Sequence, residues 1–184
     1  APLSARDVVN GYSFEQLCRI LREYGEERFA SRIADRILRE REKHPIVTTA
    51  ELSAIVCAAM PGKSRHEQQH PARRTFQAIR IEVNGELDGL RRAVDQAHDL
   101  LNPGGRLVIL TFHSLEDRIV KQAFRSYENP CTCPPKAPVC ICGKKPIVRV
   151  LGGGGVKPDA EEVERNPRAR SAMLSSCEKL EAQA

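Results

Sequence analysis

The sequence has no tryptophan and few other aromatic residues, with 3 Tyr and 5 Phe among 184 residues. It therefore has little material for the aromatic platforms on which single-stranded nucleic acids stack. No apolar run approaches the roughly 18 residues that a membrane-spanning helix needs, and the first residues lack the basic-then-apolar pattern of a signal peptide. We therefore expect a soluble, cytoplasmic protein with no membrane partner.

Charge of one sign does not dominate, since 29 Lys and Arg residues face 24 Asp and Glu residues, for a formal net charge of +5. A mildly basic surface of this kind permits a nucleic-acid partner, but many ordinary enzymes share it. The apolar fraction of 41% is enough for one globular domain or for two small ones.

The first part of the chain predicts three helices after a short extended start at Asp7 to Asn10. Ser13 and Gln16 form a capping-box pattern for the first helix, and Gly25 ends it. The second helix is rich in arginine, and Thr48 or Thr49 caps the third. We expect this part to form a small all-helical unit.

The second part predicts a mixed α/β structure. Helical spacing resumes at Pro71, and Asn84-Gly85 divides this stretch into two helices. The apolar run from Arg106 to Phe112 predicts a strand buried on both faces of a parallel sheet.

Two more strands are predicted near the end of the chain, from Pro146 to Leu151 and from Ser171 to Ser176, as a late antiparallel pair. The run Gly152 to Gly155 lies between them. It does not lead directly into a helix as a dinucleotide-binding glycine loop does, so we interpret it as a flexible hairpin or loop.

His113 and Ser114 follow the predicted buried strand directly. Open α/β sheets bind ligands at the carboxyl ends of their strands, so His113 is a candidate to contact a base or a phosphate and Ser114 to hydrogen-bond it. The alternative is structural: Ser114 would be the N-cap of the next helix and His113 a packed neighbour.

Basic and amide side chains form a second group of candidates, which would bind RNA mainly through its phosphates. Arg73, Arg80 and Asn84 share one face of a helix because they are seven and four residues apart. A solvated polar face is the alternative, and a structural ion pair with Glu82 or Asp117 is the alternative for Arg118. The full set of RNA-binding candidates is His70, Arg73, Arg74, Arg80, Asn84, Arg118, Lys63 and Arg65.

Four of the seven cysteines are clustered. Cys131, Cys133, Cys140 and Cys142 offer the four soft ligands of a structural zinc site. Within each pair, however, the cysteines are separated by one residue, whereas zinc sites usually have two to four. Free thiols or a redox-sensitive loop are the alternatives.

Three long segments, in this order, resemble the ribosomal RNA small subunit methyltransferase H (MraW) family. They are His70–Asn84, Phe112–Arg118 and Asn166–Ser171. The segments Asp7–Asn10 and Tyr24–Phe29 are also similar to that family, so the resemblance extends over nearly the whole chain.

The resemblance implies an α/β fold, the C-terminal part of a class I (Rossmann-like) methyltransferase domain interrupted by an inserted all-α helical domain. Residues 1–69 would be the helical insert that helps to recognise RNA, and residues 70–184 the last part of the catalytic domain. The implied activity is S-adenosylmethionine-dependent N4-methylation of a cytidine in the decoding region of 16S rRNA, with the small ribosomal subunit as partner.

The resemblance also implies that the S-adenosylmethionine site precedes Ala1, so this chain alone is expected to be inactive. A second hypothesis is a non-catalytic rRNA-binding module, with or without a stabilising zinc ion. A third is a small zinc-stabilised protein of unrelated role, which would bind metal but not rRNA. The sequence predicts no particular oligomeric state.

Overall fold

The computed structural model describes residues 3–61, 70–134 and 139–181. The chain forms two compact units, Ala1–Glu86 and Leu87–Ala184. The elements of the helical first part are α1 (Ala5–Gly11), α2 (Phe14–Glu23), α3 (Ala30–Arg41), α4 (Thr49–Ala59) and α5 (Arg73–Asn84). Those that follow are α6 (Glu86–Leu100), β1 (Arg106–Thr111), α7 (Ser114–Glu128), β2 (Val148–Val156), α8 (Ala160–Arg165), a 3₁₀ helix (Pro167–Ser171) and β3 (Met173–Lys179).

Capping boxes start three helices of the first unit. The caps are Ser4, Ser13 and Thr48, and each side chain accepts the backbone N–H of the residue three positions later. The predicted caps at Ser13 and Thr48 are thus confirmed, and so is the division of the later helical stretch at Gly85, which takes a left-handed conformation (φ 58°). Within the described ranges, no helix is long and apolar enough to cross a membrane.

The predicted extended start at Asp7 to Asn10 is wrong, because these residues belong to α1. The Asp7 carboxylate accepts the backbone N–H of Ser4 at 2.9 Å and completes a capping box. The short helix buries Val8 and Val9 in the core of the unit. Burial of these two side chains stabilises a helix that is too short to persist alone.

The core of the first unit is built from all five helices. α5 packs against α1 and α2, so the unit continues to Glu86. The predicted boundary at residues 69 and 70 adjoins the segment 62–69, which lies outside the described residues, and the packing division falls later because of α5. That residues 1–69 are an inserted domain stays a prediction. The buried core side chains include Val8, Leu17, Ile20, Leu21, Ile33, Ile37, Val56, Ala78 and Ile79.

Gly25 lies where the end of α2 meets α5. A Cβ atom at this position would be 2.7 Å from the Leu21 carbonyl oxygen and 2.9 Å from that of Arg74. The neighbours are backbone atoms, which cannot move aside without shifting a helix. Gly25 therefore permits a close approach of two helices, in addition to ending α2 as the sequence predicts.

We expect Gly25→Ala to lower the free energy of unfolding by about 1–3 kcal/mol, because the added methyl group overpacks the α2–α5 contact. Gly11→Ala is the matched control, since nothing lies within 4 Å of a Cβ atom there. Urea denaturation of both variants is the measurement. Equal stability of the two variants would contradict this reading of Gly25.

The second unit contains a three-stranded sheet in the order β1-β3-β2. β3 is antiparallel to both neighbours, with Arg106 opposite Glu178 and Thr111 opposite Met173 along β1. The late antiparallel pair of β2 and β3 is thus as predicted. One face of the sheet packs against α7, whose Val120 and Phe124 form a core with Val148 and Cys177.

The prediction that β1 is buried on both faces of a parallel sheet is wrong for the described residues. Its described partner is the antiparallel β3, and Val108 and Leu110 are 54% and 53% exposed. The physical reason is that β1 has a described neighbour on one edge alone, and helix α7 covers one face alone. Together with Leu174 and Val156, Val108 and Leu110 form an exposed apolar patch, called here the open face.

The run Gly152 to Gly155 lies within β2 and does not form the hairpin or loop that its composition predicts. The pairing with β3 shifts register between Leu151 and Val156, so the glycines form an irregular, bulged part of the strand. All four have positive φ angles, from 60° to 121°. Glycine tolerates such angles, which explains how the strand continues through this run.

An ionic cluster joins all three strands on the same side of the sheet as the open face, near the start of β1 and β2 and the end of β3. The Glu178 carboxylate lies 3.0 Å from Arg106 Nε and 2.8 Å from Arg149 Nη2. The hydrogen bond from Arg106 is the main cause that holds the pKa of Glu178 below its ordinary value, and Arg149 adds to it. The carboxylate is therefore stabilised in its charged form in the folded state.

Because the folded-state pKa of Glu178 is lowered, its contribution to stability is present above the ordinary carboxyl pKa and is lost as pH falls through the folded value. We expect the stability difference between the wild type and Glu178→Gln to be full near pH 7 and to shrink below about pH 4. Urea midpoints across this range are the measurement. Glu161→Gln, at an exposed position of α8, is the control, and a difference that persists unchanged at low pH would contradict the assignment.

Candidate functional site

The junction of β1 and α7 carries the predicted catalytic residues. The Glu116 carboxylate accepts the backbone N–H groups of Phe112 at 2.9 Å and His113 at 3.3 Å. In return, His113 Nδ1 accepts the backbone N–H of Glu116 at 3.4 Å. This is a capping box in which a histidine replaces the usual serine or threonine.

The structural alternative predicted Ser114 as the N-cap and His113 as a packed neighbour. That assignment is wrong in one respect, because His113 is the N-cap and Ser114 is the first residue of the helix. Ser114 is exposed. The imidazole can accept at Nδ1 with its other ring nitrogen protonated, so the capping role assigns the proton of a neutral His113 to Nε2.

His113 Nε2 lies 3.2 Å from Glu116 Oε1, yet it has no aligned hydrogen-bond partner among the described residues. This distance is short enough for an ion pair. A hydrogen bond also requires a favourable angle, which His113 Nε2 and the Glu116 carboxylate lack. The His113 side chain is 13% exposed. The Nε2–H group is therefore a buried donor at the end of β1 without an aligned partner in the described part of the chain.

The residues around this junction are also held in place. The Thr111 hydroxyl, on the last residue of β1, donates to the Met173 carbonyl at 3.2 Å. Asp117 accepts from Lys121 Nζ at 2.8 Å, while its other oxygen, Oδ1, is buried with no partner among the described residues. No local sequence pattern marks Thr111, because the position of its hydroxyl follows from the pairing of β1 with a distant strand.

Several predicted RNA-binding residues on α5 have structural contacts. Arg80 binds both oxygens of the Glu86 carboxylate at 2.9 Å, and Asn84 donates to the same carboxylate at 2.9 Å. Arg74 donates to the Glu26 carbonyl at 3.3 Å. Arg80 and Asn84 therefore lie on one face of α5, as predicted. Both side chains contact the Glu86 carboxylate on that face.

The other predicted RNA-binding residues differ in position. His70 and Arg73 are exposed, the first just before α5 and the second at its start. His70 Nδ1 accepts the backbone N–H of Ala72 at 3.2 Å. Arg118 is exposed on the first turn of α7. Lys63 and Arg65 lie outside the described residues.

Glu82 and Asp117, the two carboxylates predicted as alternative partners of Arg118, have the following contacts, and Arg118 also takes part in an interaction within the structure. Glu82 accepts from the Tyr12 hydroxyl at 2.8 Å and from Arg19 at 3.0 Å. Asp117 pairs with Lys121, as described above. Burial raises the pKa of the Tyr12 phenol, and the hydrogen bond to Glu82 raises it further.

The four clustered cysteines come together as predicted. Their Sγ atoms all lie within 4.8 Å of one another, in the loop between α7 and β2. Backbone N–H groups of Lys144 and Thr132 point at Cys142 and lower the pKa of its thiol to about 6. The remaining cysteines, Cys18, Cys57 and Cys177, are not part of this cluster.

A cavity of about 310 Å³ lies between α7 and strands β2 and β3. Lys121, Arg125 and Glu128 line one side of it, and the glycine run lines another. Ser175, which is buried, contributes a hydroxyl with no hydrogen-bond partner among the described residues. No sequence pattern marked this cavity, because its walls come from elements far apart in the chain.

We expect Glu116→Ala to lower the free energy of unfolding by about 1 kcal/mol, because the N–H groups of Phe112 and His113 lose their acceptor. Glu116→Gln is the matched control. A glutamine at this position can keep the capping box, so its stability should remain near that of the wild type. Urea denaturation separates the two, and equal losses would show that charge rather than hydrogen bonding matters here.

Residues 1–180 match the MraW methylase family. The chain is 54% identical over 181 residues to ribosomal RNA small subunit methyltransferase H of Symbiobacterium thermophilum, covering 98% of this chain and 57% of that protein.

Two other relatives give the same result. Ribosomal RNA small subunit methyltransferase H 2 of Agathobacter rectalis is 54% identical over 177 residues, which are 96% of this chain and 56% of that protein. Ribosomal RNA small subunit methyltransferase H of Brevibacillus brevis is 49% identical over 180 residues, 98% of this chain and 57% of that protein. The chain thus spans little more than half the length of the relatives it matches.

Proposed function

Because the chain belongs to the MraW methylase family, we propose that it is the C-terminal part of an enzyme that methylates N4 of a cytidine in the decoding region of 16S rRNA. The observation that carries this proposal is the match over 96–98% of the chain to proteins named ribosomal RNA small subunit methyltransferase H. The methyl donor would be S-adenosylmethionine, which supplies an electrophilic methyl group when bound.

The role proposed for His113 is to position the target nucleotide. Methylation of a cytosine amine requires a base taken out of its stack and an amine lone pair aimed at the methyl carbon. The Nε2–H group of His113, at the end of β1, would donate to the base or to a phosphate, with Ser114 beside it. The capping contact at Nδ1 supports this role, because it fixes both the ring and its tautomer.

The described residues do not fit a complete S-adenosylmethionine site. A glycine-rich turn from a strand into a helix is the usual cradle for such cofactors, and the run Gly152 to Gly155 instead lies inside β2. This mismatch supports the proposal that the chain alone is inactive and that the cofactor-binding part of the enzyme is a separate segment.

The open face supports the same proposal. Val108, Leu110, Leu174 and Val156 present apolar side chains on a sheet whose other face is packed, and β1 has a described partner on one edge alone. In α/β domains with parallel strands, helices cover both faces of the sheet. We propose that the rest of a class I methyltransferase domain covers the open face and extends the sheet beyond β1.

RNA binding is proposed for the exposed cations near α5 and at the start of α7. Arg73 and Arg118 are exposed at the beginnings of their helices and would contact phosphates, with His70 as a neighbour of Arg73. Arg80 and Asn84 stabilise the end of α5 through Glu86 and would reach RNA by exchanging that partner. Arg74, Lys63 and Arg65 complete the proposed set, and residues 1–69 would be the inserted RNA-recognition domain.

Activity should be tested with the chain alone and with a fusion in which the unmatched part of the Symbiobacterium relative precedes residue 1. We expect no saturable S-adenosylmethionine binding by calorimetry and no methylation of small subunits by the chain alone. The fusion should methylate a cytidine at N4, read by mass spectrometry of rRNA digests. Micromolar cofactor binding by the chain alone would overturn the proposed division of the enzyme.

Within the fusion, His113→Ala should lower kcat by about 100-fold or more if the imidazole positions the nucleotide. Cys57→Ser, at a partly buried position of α4, is the control variant. A chain that binds rRNA while the fusion stays inactive would favour the second candidate, an rRNA-binding module without chemistry.

A further inference from the structure

The four cysteines of the loop between α7 and β2 have the spacing of a metal tetrahedron. The Sγ atom of Cys140 lies 3.6 Å from that of Cys131, 3.8 Å from that of Cys133 and 3.5 Å from that of Cys142. Cys142 and Cys131 are 3.7 Å apart. All six separations are within 4.8 Å.

These separations distinguish between the alternatives for the cluster. Four sulfurs around one zinc ion at about 2.3 Å lie about 3.8 Å from one another, which is the edge of a regular tetrahedron. A disulfide would bring two sulfurs to about 2.05 Å, and all four thiols are free. The distances fit a single ion held by all four sulfurs.

The one-residue spacing within each pair is compatible with this geometry. Cys140 and Cys142 place their sulfurs 3.5 Å apart although a single residue separates them. The folding of the loop, rather than the sequence interval, brings the two pairs together. The one-residue spacing therefore does not argue against a zinc site.

A backbone N–H group also contacts the cluster, as in thiolate metal sites. Ile141 donates to Cys133 Sγ at 3.4 Å. Gly143, with φ 63°, lies in the turn directly after Cys142. Hydrogen bonds to the sulfurs stabilise thiolates and orient metal ligands.

We propose that Cys131, Cys133, Cys140 and Cys142 bind one structural Zn²⁺ ion. Four protein sulfurs complete a tetrahedral shell and leave no position for substrate or water, so the ion would not take part in chemistry. Four thiolates and one Zn²⁺ carry a net charge of −2, and Lys144 and Lys145 follow Cys142 in the sequence by two and three residues. This inference does not depend on the proposed methyltransferase activity.

The ion would stabilise the connection between α7 and β2. The Ile147 N–H donates to the Tyr127 carbonyl at 2.9 Å, which ties together the two ends of the loop. The cluster lies between these ends in the sequence, so a zinc ion would form a second link within the loop. Among the described residues of this loop, Val139 and Ile141 are exposed, and a metal supplies the stability that a small core cannot.

The first test is the metal content of the 184-residue chain purified under reducing conditions. We expect one zinc per chain by elemental mass spectrometry. After removal of zinc, Co²⁺ should give the visible spectrum of a tetrathiolate site. Iron in place of zinc, or a chain that is folded by circular dichroism and binds neither zinc nor Co²⁺, would overturn the proposal.

Thiol alkylation gives a second readout that does not require a variant to fold. Zinc should slow labelling of the four cluster cysteines by N-ethylmaleimide at least about tenfold, and a chelator should restore it, because a metal-bound thiolate is a poor nucleophile. Peptide mass spectrometry assigns each label, with Cys57 as the internal control. Equal labelling with and without zinc would overturn the proposal.

Cys140→Ser should weaken zinc binding by more than the roughly 10- to 100-fold that follows the loss of an outer contact, because it removes a direct ligand. Cys57→Ser should keep one zinc per chain. A Cys140→Ser chain that retains wild-type zinc affinity would contradict the ligand set.

Discussion

The hydrogen bonds between the Glu116 carboxylate and the backbone of Phe112 and His113 fix the point at which β1 ends and α7 begins. Much of the second unit depends on this point. α7 supplies Val120 and Phe124 to the core beneath the sheet, and the cysteine loop starts where α7 ends. A carboxylate near a helix N-terminus is also favoured by the helix dipole, so one side chain satisfies the backbone and sets the direction of the helix.

Local patterns were sufficient to predict most of the helices. Ser13 and Thr48 cap their helices as expected, because a capping box is encoded within four residues. The helix α1 was missed although Ser4 and Asp7 carry the same type of signal. Its first turn is polar and its apolar contribution is two valines, so packing against other helices, which a local pattern does not contain, decides its formation.

The errors in the second unit arise from contacts between distant residues. The apolar run of β1 predicts a strand, but its pairing with β3 and its exposed side chains depend on which elements are present around it. The cysteine sequence alone leaves a metal site open, because it offers four soft ligands at an unusual one-residue spacing. The proximity of Cys140 to three other sulfurs, at 3.5–3.8 Å, is visible in the fold and not in the sequence. His113 was identified from its place after a strand, whereas its capping role required the position of Glu116 in space.

The separation of β1 from β3 along the chain has a consequence for synthesis of the protein. Arg106 pairs with Glu178, 72 residues later, and β2 also pairs with β3. At elongation rates of about 5–20 residues per second, β1 is made several seconds before its partner strand. A nascent chain that has not yet reached Met173 therefore holds β1 and β2 without their common partner, and unpaired strand edges of this kind favour aggregation.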